Sequence, residues 1–122
     1  MTRKYQEPGE IIQWVNGTGA AVASGAVVKI NNVIGVALQD IGIGGTGSVG
    51  IEGVFSGLPK VPATNILQGQ KLLWDVSASQ FDGPGATPAT GDVTGGAIAF
   101  EAAGASVTTI TVKLTPGNTA VA

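Results

Sequence analysis

Short runs of alternating apolar and polar residues dominate the chain, and Gly, Pro, Asn and Ser fill the gaps between them. A period of two marks strands that bury one face. The clearest case is Thr108 to Leu114, where Ile110, Val112 and Leu114 point one way and Thr109, Thr111 and Lys113 the other. Ser48 to Phe55 alternates too, with Val49, Ile51 and Phe55 sharing a face and Gly53 between them. Lys71 to Val76 groups Leu72, Trp74 and Val76, and Ala97 to Glu101 groups Ile98 with Phe100. Glu10 to Val15 is a β-prone run after a Pro8-Gly9 turn. Ala26 to Ile30 and Val33 to Leu38 flank Asn31-Asn32, a two-residue turn that suits Asn because Asn tolerates positive φ. Helical spacing is never sustained for a helix's length without interruption by Gly, Pro or β-branched residues.

About seven short strands joined by Gly-rich turns predict a small all-β domain, a β-barrel or β-sandwich. A chain of 122 residues is the length of one domain. Residues 1–9 are polar and unpatterned, and predict an N-terminal arm in front of a β-domain over 10–115. Residues 77–96, rich in Ser, Gly, Pro, Ala and Thr, predict a long loop with room for a short strand near Phe81. The tail 116–122 has no pattern and is expected to fray. Val36-Ala37-Leu38-Gln39-Asp40 echoes Ile98-Ala99-Phe100-Glu101-Ala102, and Ser24 to Val28 echoes Gln68 to Leu72. Two related halves would account for the echo, and so would coincidence in a chain rich in Gly, Ala and Val.

Composition narrows the chemistry. The chain has no His and no Cys, which removes thiolate nucleophiles, disulfides, imidazole bases and the usual zinc sites. Charged residues are 11%, less than half the usual share of about 25%. A net charge of −2 with six Lys and Arg gives no footprint for nucleic acid. No apolar run is long enough for a membrane helix, and the polar N-terminus does not read as a signal peptide, so synthesis in a cytoplasm is expected. These absences predict a protein that is not an enzyme and holds no cofactor or metal.

Three patterns nevertheless invite a chemical reading. Gly42-Ile43-Gly44-Gly45-Thr46-Gly47 satisfies the dinucleotide-binding G-x-G-x-x-G, but that motif must open a helix, and Ser48 to Phe55 is a strand pattern. A β-turn is expected instead. The eight acids include Asp82 and Asp92 in the long loop, which could be imagined around calcium, yet their spacing fits no known cage. Asp40 and Glu101 end strands, where acids commonly cap turns, and Glu52 and Asp75 fall on solvated faces. Trp14 and Trp74 suit a core, a protein interface or a sugar platform.

The order of several short motifs resembles a family of tailed-bacteriophage head proteins. Gln6-Glu7-Pro8-Gly9-Glu10, Ile34 to Asp40, Gly53-Val54-Phe55 with Leu58-Pro59-Lys60, Gln68 to Asp75, Ala99 to Ala103 and Val112-Lys113-Leu114 follow one another as they do in capsid cement, or head decoration, proteins. The resemblance spans Gln6 to Leu114. Glu7 intrudes before Pro8, Gln70 stands where Asp is common, and Phe100 replaces a smaller residue. The resemblance implies a virion protein on the outer face of the capsid. It would be a small homo-oligomer, dimer or trimer, bound to the phage major capsid protein at capsomer junctions, with no nucleic acid or membrane partner. Expected contact residues are the arm residues Arg3, Lys4 and Tyr5, the anchors Trp14 and Phe55, and a protruding turn at Leu58, Pro59 and Lys60. The rival expectation is a small carbohydrate- or receptor-binding β-module using Trp14 or Trp74 with Asp82 and Asp92.

Overall fold

The computed structural model of the chain describes residues 6–122. They form ten strands: β1 (Ile11–Val15), β2 (Val27–Ile30), β3 (Val33–Ala37), β4 (Thr46–Gly50), β5 (Gly53–Pro59), β6 (Lys71–Asp75), β7 (Gln80–Asp82), β8 (Val93–Ala99), β9 (Thr109–Leu114) and β10 (Ala120–Val121). Among the described residues there is no α-helix, only a 3₁₀ turn at Pro116–Asn118. The strands make two antiparallel sheets, one in the order β1-β4-β3-β2 and one in the order β5-β9-β8-β6-β7, with β10 added to β8. Beyond β7 the chain returns to β5: Lys60 bridges Phe81 in parallel, and the Val61 N–H donates to the Phe81 carbonyl at 2.9 Å. That closure curls the larger sheet into a half-barrel.

The larger core fills this curl. Leu58, Ile66, Leu72, Trp74, Phe81, Val93, Ile110, Val112 and Leu114 are buried together, joined by Ile34 and Val36 from the first sheet. Trp74 meets Phe81 edge to face, ring centroids 4.8 Å apart and planes at 65°. A smaller core of Val28, Ala37, Ile41 and Val49 lies on the other face of the first sheet, with Trp14, Val22, Ile30 and Ile51 packed against it.

The two sheets repeat one plan. The order β1-β4-β3-β2 reappears as β5-β9-β8-β6. Val22 and Ile41 exchange backbone hydrogen bonds at 2.9 and 2.8 Å, and Ile66 and Ala103 do the same at 2.8 and 2.9 Å. Gly25 donates to Ala37 as Gly69 donates to Ala99, Ala37 donates to Ala26 as Ala99 donates to Gln70, and Leu38 donates to Ser48 as Phe100 donates to Thr111. Gly25 and Gly69 hold φ values of 89° and 84°, a left-handed conformation at the same turn of each half. The short echo in the sequence is thus the trace of two structurally equivalent halves. They differ mainly between β6 and β8, where the second half inserts β7 and residues 83–92 in place of the tight Asn31-Asn32 turn.

Several expectations change on the structure. Ser48 to Phe55 is two strands in two sheets: the chain bends at Ile51-Glu52, and Gly53 at φ 114° starts β5. The bend leaves the even spacing of Val49 and Phe55 intact, so a broken segment keeps the pattern of a continuous one. The 77–96 segment holds β7 (Gln80–Asp82), the short strand expected near Phe81, but it ends in the first residues of β8 rather than in loop. The tail is tied down: Gly91 donates to the Ala122 carbonyl at 2.8 Å, and Ala122 to the Asp92 carbonyl at 2.9 Å. These are backbone bonds, which side-chain patterning does not reveal. The turn at Asn31, with φ 52°, and the strand over Thr109–Leu114 are as expected. Gly42 to Gly45 closes a turn, the Gly45 N–H donating to the Gly42 carbonyl at 2.9 Å, and leads into β4 rather than a helix.

Gly35 in β3 has no room for a side chain, since a Cβ would lie 2.5 Å from Val49 Cγ1 and 2.7 Å from the Gly50 carbonyl oxygen. The oxygen belongs to a paired strand and cannot swing aside. Gly35→Ala should therefore lower folding stability by about 1–3 kcal/mol, read as an earlier urea midpoint with unchanged slope.

Candidate functional site

Lys60 is the most unusual side chain in the molecule. It follows β5, is 1% exposed, and donates from Nζ to the carbonyls of Val61 at 2.8 Å, Gly104 at 3.1 Å and Val107 at 3.2 Å. Three donors meet three acceptors, so the buried ammonium is hydrogen-bonded to its full capacity. Asn16 occupies the matching position after β1, also 1% exposed. Its Nδ2 donates to the carbonyls of Ala20 at 2.8 Å and Ile41 at 3.1 Å, and its Oδ1 accepts from the Thr18 N–H at 3.0 Å. Each half thus pins its crossing loops to the end of its first strand through one buried polar side chain.

The loop acids are engaged in turns. Asp92 accepts from Val76 N–H at 3.1 Å and Ala89 N–H at 2.9 Å. Asp82 accepts from Thr64 Oγ1 at 2.8 Å and Gly83 N–H at 2.7 Å. Asp75 accepts from Ser77 Oγ at 2.7 Å, Ala78 N–H at 3.1 Å and Ser77 N–H at 3.0 Å. Those bonds, the Ser77 hydroxyl first, hold its carboxyl below the ordinary aspartate range. Among the described residues no three acids gather as a metal would require.

The expected contact residues do not converge on one surface. Arg3, Lys4 and Tyr5 lie outside the described residues. Trp14 is half-buried on β1 against the smaller core, and Phe55 is half-buried on β5 against the larger one. Leu58-Pro59-Lys60 is not a protruding turn: Leu58 and Pro59 end β5, Leu58 is in the core, and Lys60 is enclosed by carbonyls. A lone Lys after Pro looks like a solvated tip in sequence, and only the 104–107 turn folding over it makes it internal. Trp74 is 4% exposed and offers no face to a sugar.

What the surface does present is apolar. Ile11 is 48% exposed and Val15 60%, both on β1, and Leu38, Ile43, Leu67 and Phe100 are also exposed. The sequence carried their signal in its low charge, though without saying which residues face outward. Depletion of charge with exposed aliphatic and aromatic side chains is the composition of a protein-binding surface rather than of a reactive one.

A family model described as a phage cement protein matches residues 6–114. The chain belongs to that family. No curated protein and no solved structure matches it significantly. Cement proteins are structural components associated with the phage capsid, and this chain has a capsid-associated structural role in the virion. The match takes in both halves of the fold, including Lys60 and Asn16.

Two outcomes follow from these side chains. Lys60→Met keeps much of the volume but takes one donor from each of three carbonyls, of which Gly104 retains the Val107 N–H, and should cost at least about 2 kcal/mol in urea unfolding. Asp75 has a lowered native pKa, so the unfolded chain binds its proton more readily. Its contribution to stability is present above the unfolded pKa and is lost as pH falls through the native one. In Ser77→Ala an NMR titration should show the Asp75 carboxyl moving up toward the ordinary value.

Proposed function

We propose that this protein binds the outer surface of an assembled phage head, across junctions between major capsid protein capsomers, and holds the shell against the pressure of the packaged genome. The family match over residues 6–114 carries this reading. The surface supports it, since exposed Ile11, Val15, Leu38 and Phe100 on a rigid β-scaffold give apolar contact without many charges to desolvate. The arm residues Arg3, Lys4 and Tyr5 add contacts to the shell or to a neighbouring subunit, with Trp14 and Phe55 packing behind the exposed strands β1 and β5 as interface anchors. The chain is made in the host cytoplasm and joins the shell there.

The energetics require no chemistry. A ligand that binds only the expanded shell stabilises that state by its binding free energy at every occupied site. Hundreds of modest contributions then oppose the internal pressure. The binding surface must therefore recognise a feature that exists only where two or more shell subunits meet.

Purified protein should co-sediment saturably with expanded, undecorated heads of the parent phage and not with unexpanded proheads. Copy number at saturation should match a symmetry position of the shell. Removing residues 1–7 should weaken occupancy at least tenfold. Folded protein that binds neither form would overturn the proposal, and a saturable tryptophan fluorescence change with sugars would move the carbohydrate-binding reading ahead of it.

A further inference from the structure

Asn16-Gly17 is the one Asn-Gly pair in the chain, the other asparagines standing before Asn32, Val33, Ile66 and Thr119. In an open chain this pair is the context in which an asparagine amide reacts most readily, because glycine carries no side chain to shield its peptide nitrogen. That nitrogen attacks Cγ of the asparagine. The new N–Cγ bond forms as the Cγ–Nδ2 bond breaks, and the peptide proton leaves with ammonia. Water then opens the resulting five-membered succinimide to aspartate or to isoaspartate. Ammonia is lost, water is consumed, and nothing is oxidised or reduced.

The fold withholds this reaction by fixing the amide. Nδ2 of Asn16 donates to the Ala20 and Ile41 carbonyls at 2.8 and 3.1 Å, and Oδ1 accepts from the Thr18 N–H at 3.0 Å and from Thr18 Oγ1 at 2.7 Å. Two donors and two lone pairs are all that an asparagine side chain has. Its backbone is held as well, the N–H donating to the Gly45 carbonyl at 2.8 Å and the carbonyl accepting from the Gly44 N–H at 2.9 Å. Ring closure must turn the amide and rotate the main chain toward its own side chain, so these six bonds all oppose it. Gly17 itself is exposed. The barrier is therefore the immobilised amide and not a lack of water at the attacking nitrogen.

The product does not fit the place it came from. A carboxylate has no N–H for the Ala20 and Ile41 carbonyls and sets a charge against their oxygens in a buried site. Isoaspartate lengthens the main chain by one carbon and displaces Thr18. The second half carries no such reaction, since Lys60 stands in the matching position. We propose that Asn16 is a deamidation site gated by the first half of the fold. It is silent while the segments around Ala20, Ile41 and Gly44-Gly45 are closed, reacts when they open, and makes the opening irreversible because the product cannot be reseated. The inference is independent of the capsid reading, because the chemistry runs in the purified chain.

The test holds the full chain in mildly alkaline buffer, folded or unfolded in urea, and follows deamidation by mass spectrometry. Trypsin cleavage after Lys4 and Lys29 gives a peptide in which Asn16 is the sole asparagine. Its mass increment should grow at least about thirtyfold faster in urea than in the folded protein. Thr18→Ala removes one bond to Oδ1 and should speed the folded-state reaction about fivefold while leaving the rate in urea unchanged. Gly17→Ala meets nothing within 4 Å and needs no left-handed φ, so it should keep the wild-type urea midpoint. Its methyl group should slow the reaction in urea at least about tenfold. After long incubation in urea the refolded fraction of the wild type should fall in step with deamidation, while Gly17→Ala refolds fully. Equal rates in folded and unfolded protein would overturn the proposal, as would faster reaction at Asn31 or Asn32 than at Asn16 in urea. A folded-state rate that Thr18→Ala leaves unchanged removes the gate. Deamidated chain that refolds with the wild-type urea midpoint removes the irreversibility.

Discussion

Strand β3 is buried on both faces, and the arrangement of the two halves depends on it. Ile34 and Val36 enter the larger core, while Ala37 lines the smaller one. One five-residue strand therefore belongs to two hydrophobic clusters, and each fixes the position of the other. Gly35 is part of the same constraint, since Val49 and the Gly50 backbone occupy the space its side chain would need. The second half meets a similar demand with Ala97 at the equivalent place in β8, fully buried but wide enough for one methyl group. Packing of this closeness leaves few ways for one half to move against the other.

Much of this was legible in the sequence where side chains alternate over a half-buried strand. Thr109 to Leu114 is such a case, and so is the hairpin around Asn31. The fold class followed from those runs and from the absence of helical spacing. Where backbone alone organises the chain, the pattern is silent. β10 is two residues long and is held by ladder bonds to β8. The division of β4 from β5 was hidden because the bend at Ile51-Glu52 preserves the parity of Val49 and Phe55. Apolar exposure on β1 was hidden too, since Ile11 and Val15 have the same composition as core residues. The family resemblance, resting on ordered short motifs, reached further into function than any single residue could.

Lys60 and Asn16 show how a chain without cysteine anchors its loops. Both sit just after the first strand of their half and both bond to backbone carbonyls of the crossing segments. The interaction is local, satisfied and enclosed. A charged group and a neutral one serve the same place because the requirement is for donors aimed at carbonyls, and an ammonium supplies one more than an amide.

Repetition of one hydrogen-bonding scheme also has a kinetic side. β4 and β9 hold equivalent places in the two halves, so the pairings to be avoided in folding are the crossed ones, β1 with β9 and β5 with β4. Pairings of the wrong halves would trap the chain in compact, misassembled states, a familiar hazard of repeated sequences. The break between Phe55 and Leu58 and the β7 insertion make the second half unlike the first at the positions where such exchange would begin. Unlike sequences at equivalent places are what tells correct from crossed assembly in a repeated fold, and these two features supply that difference.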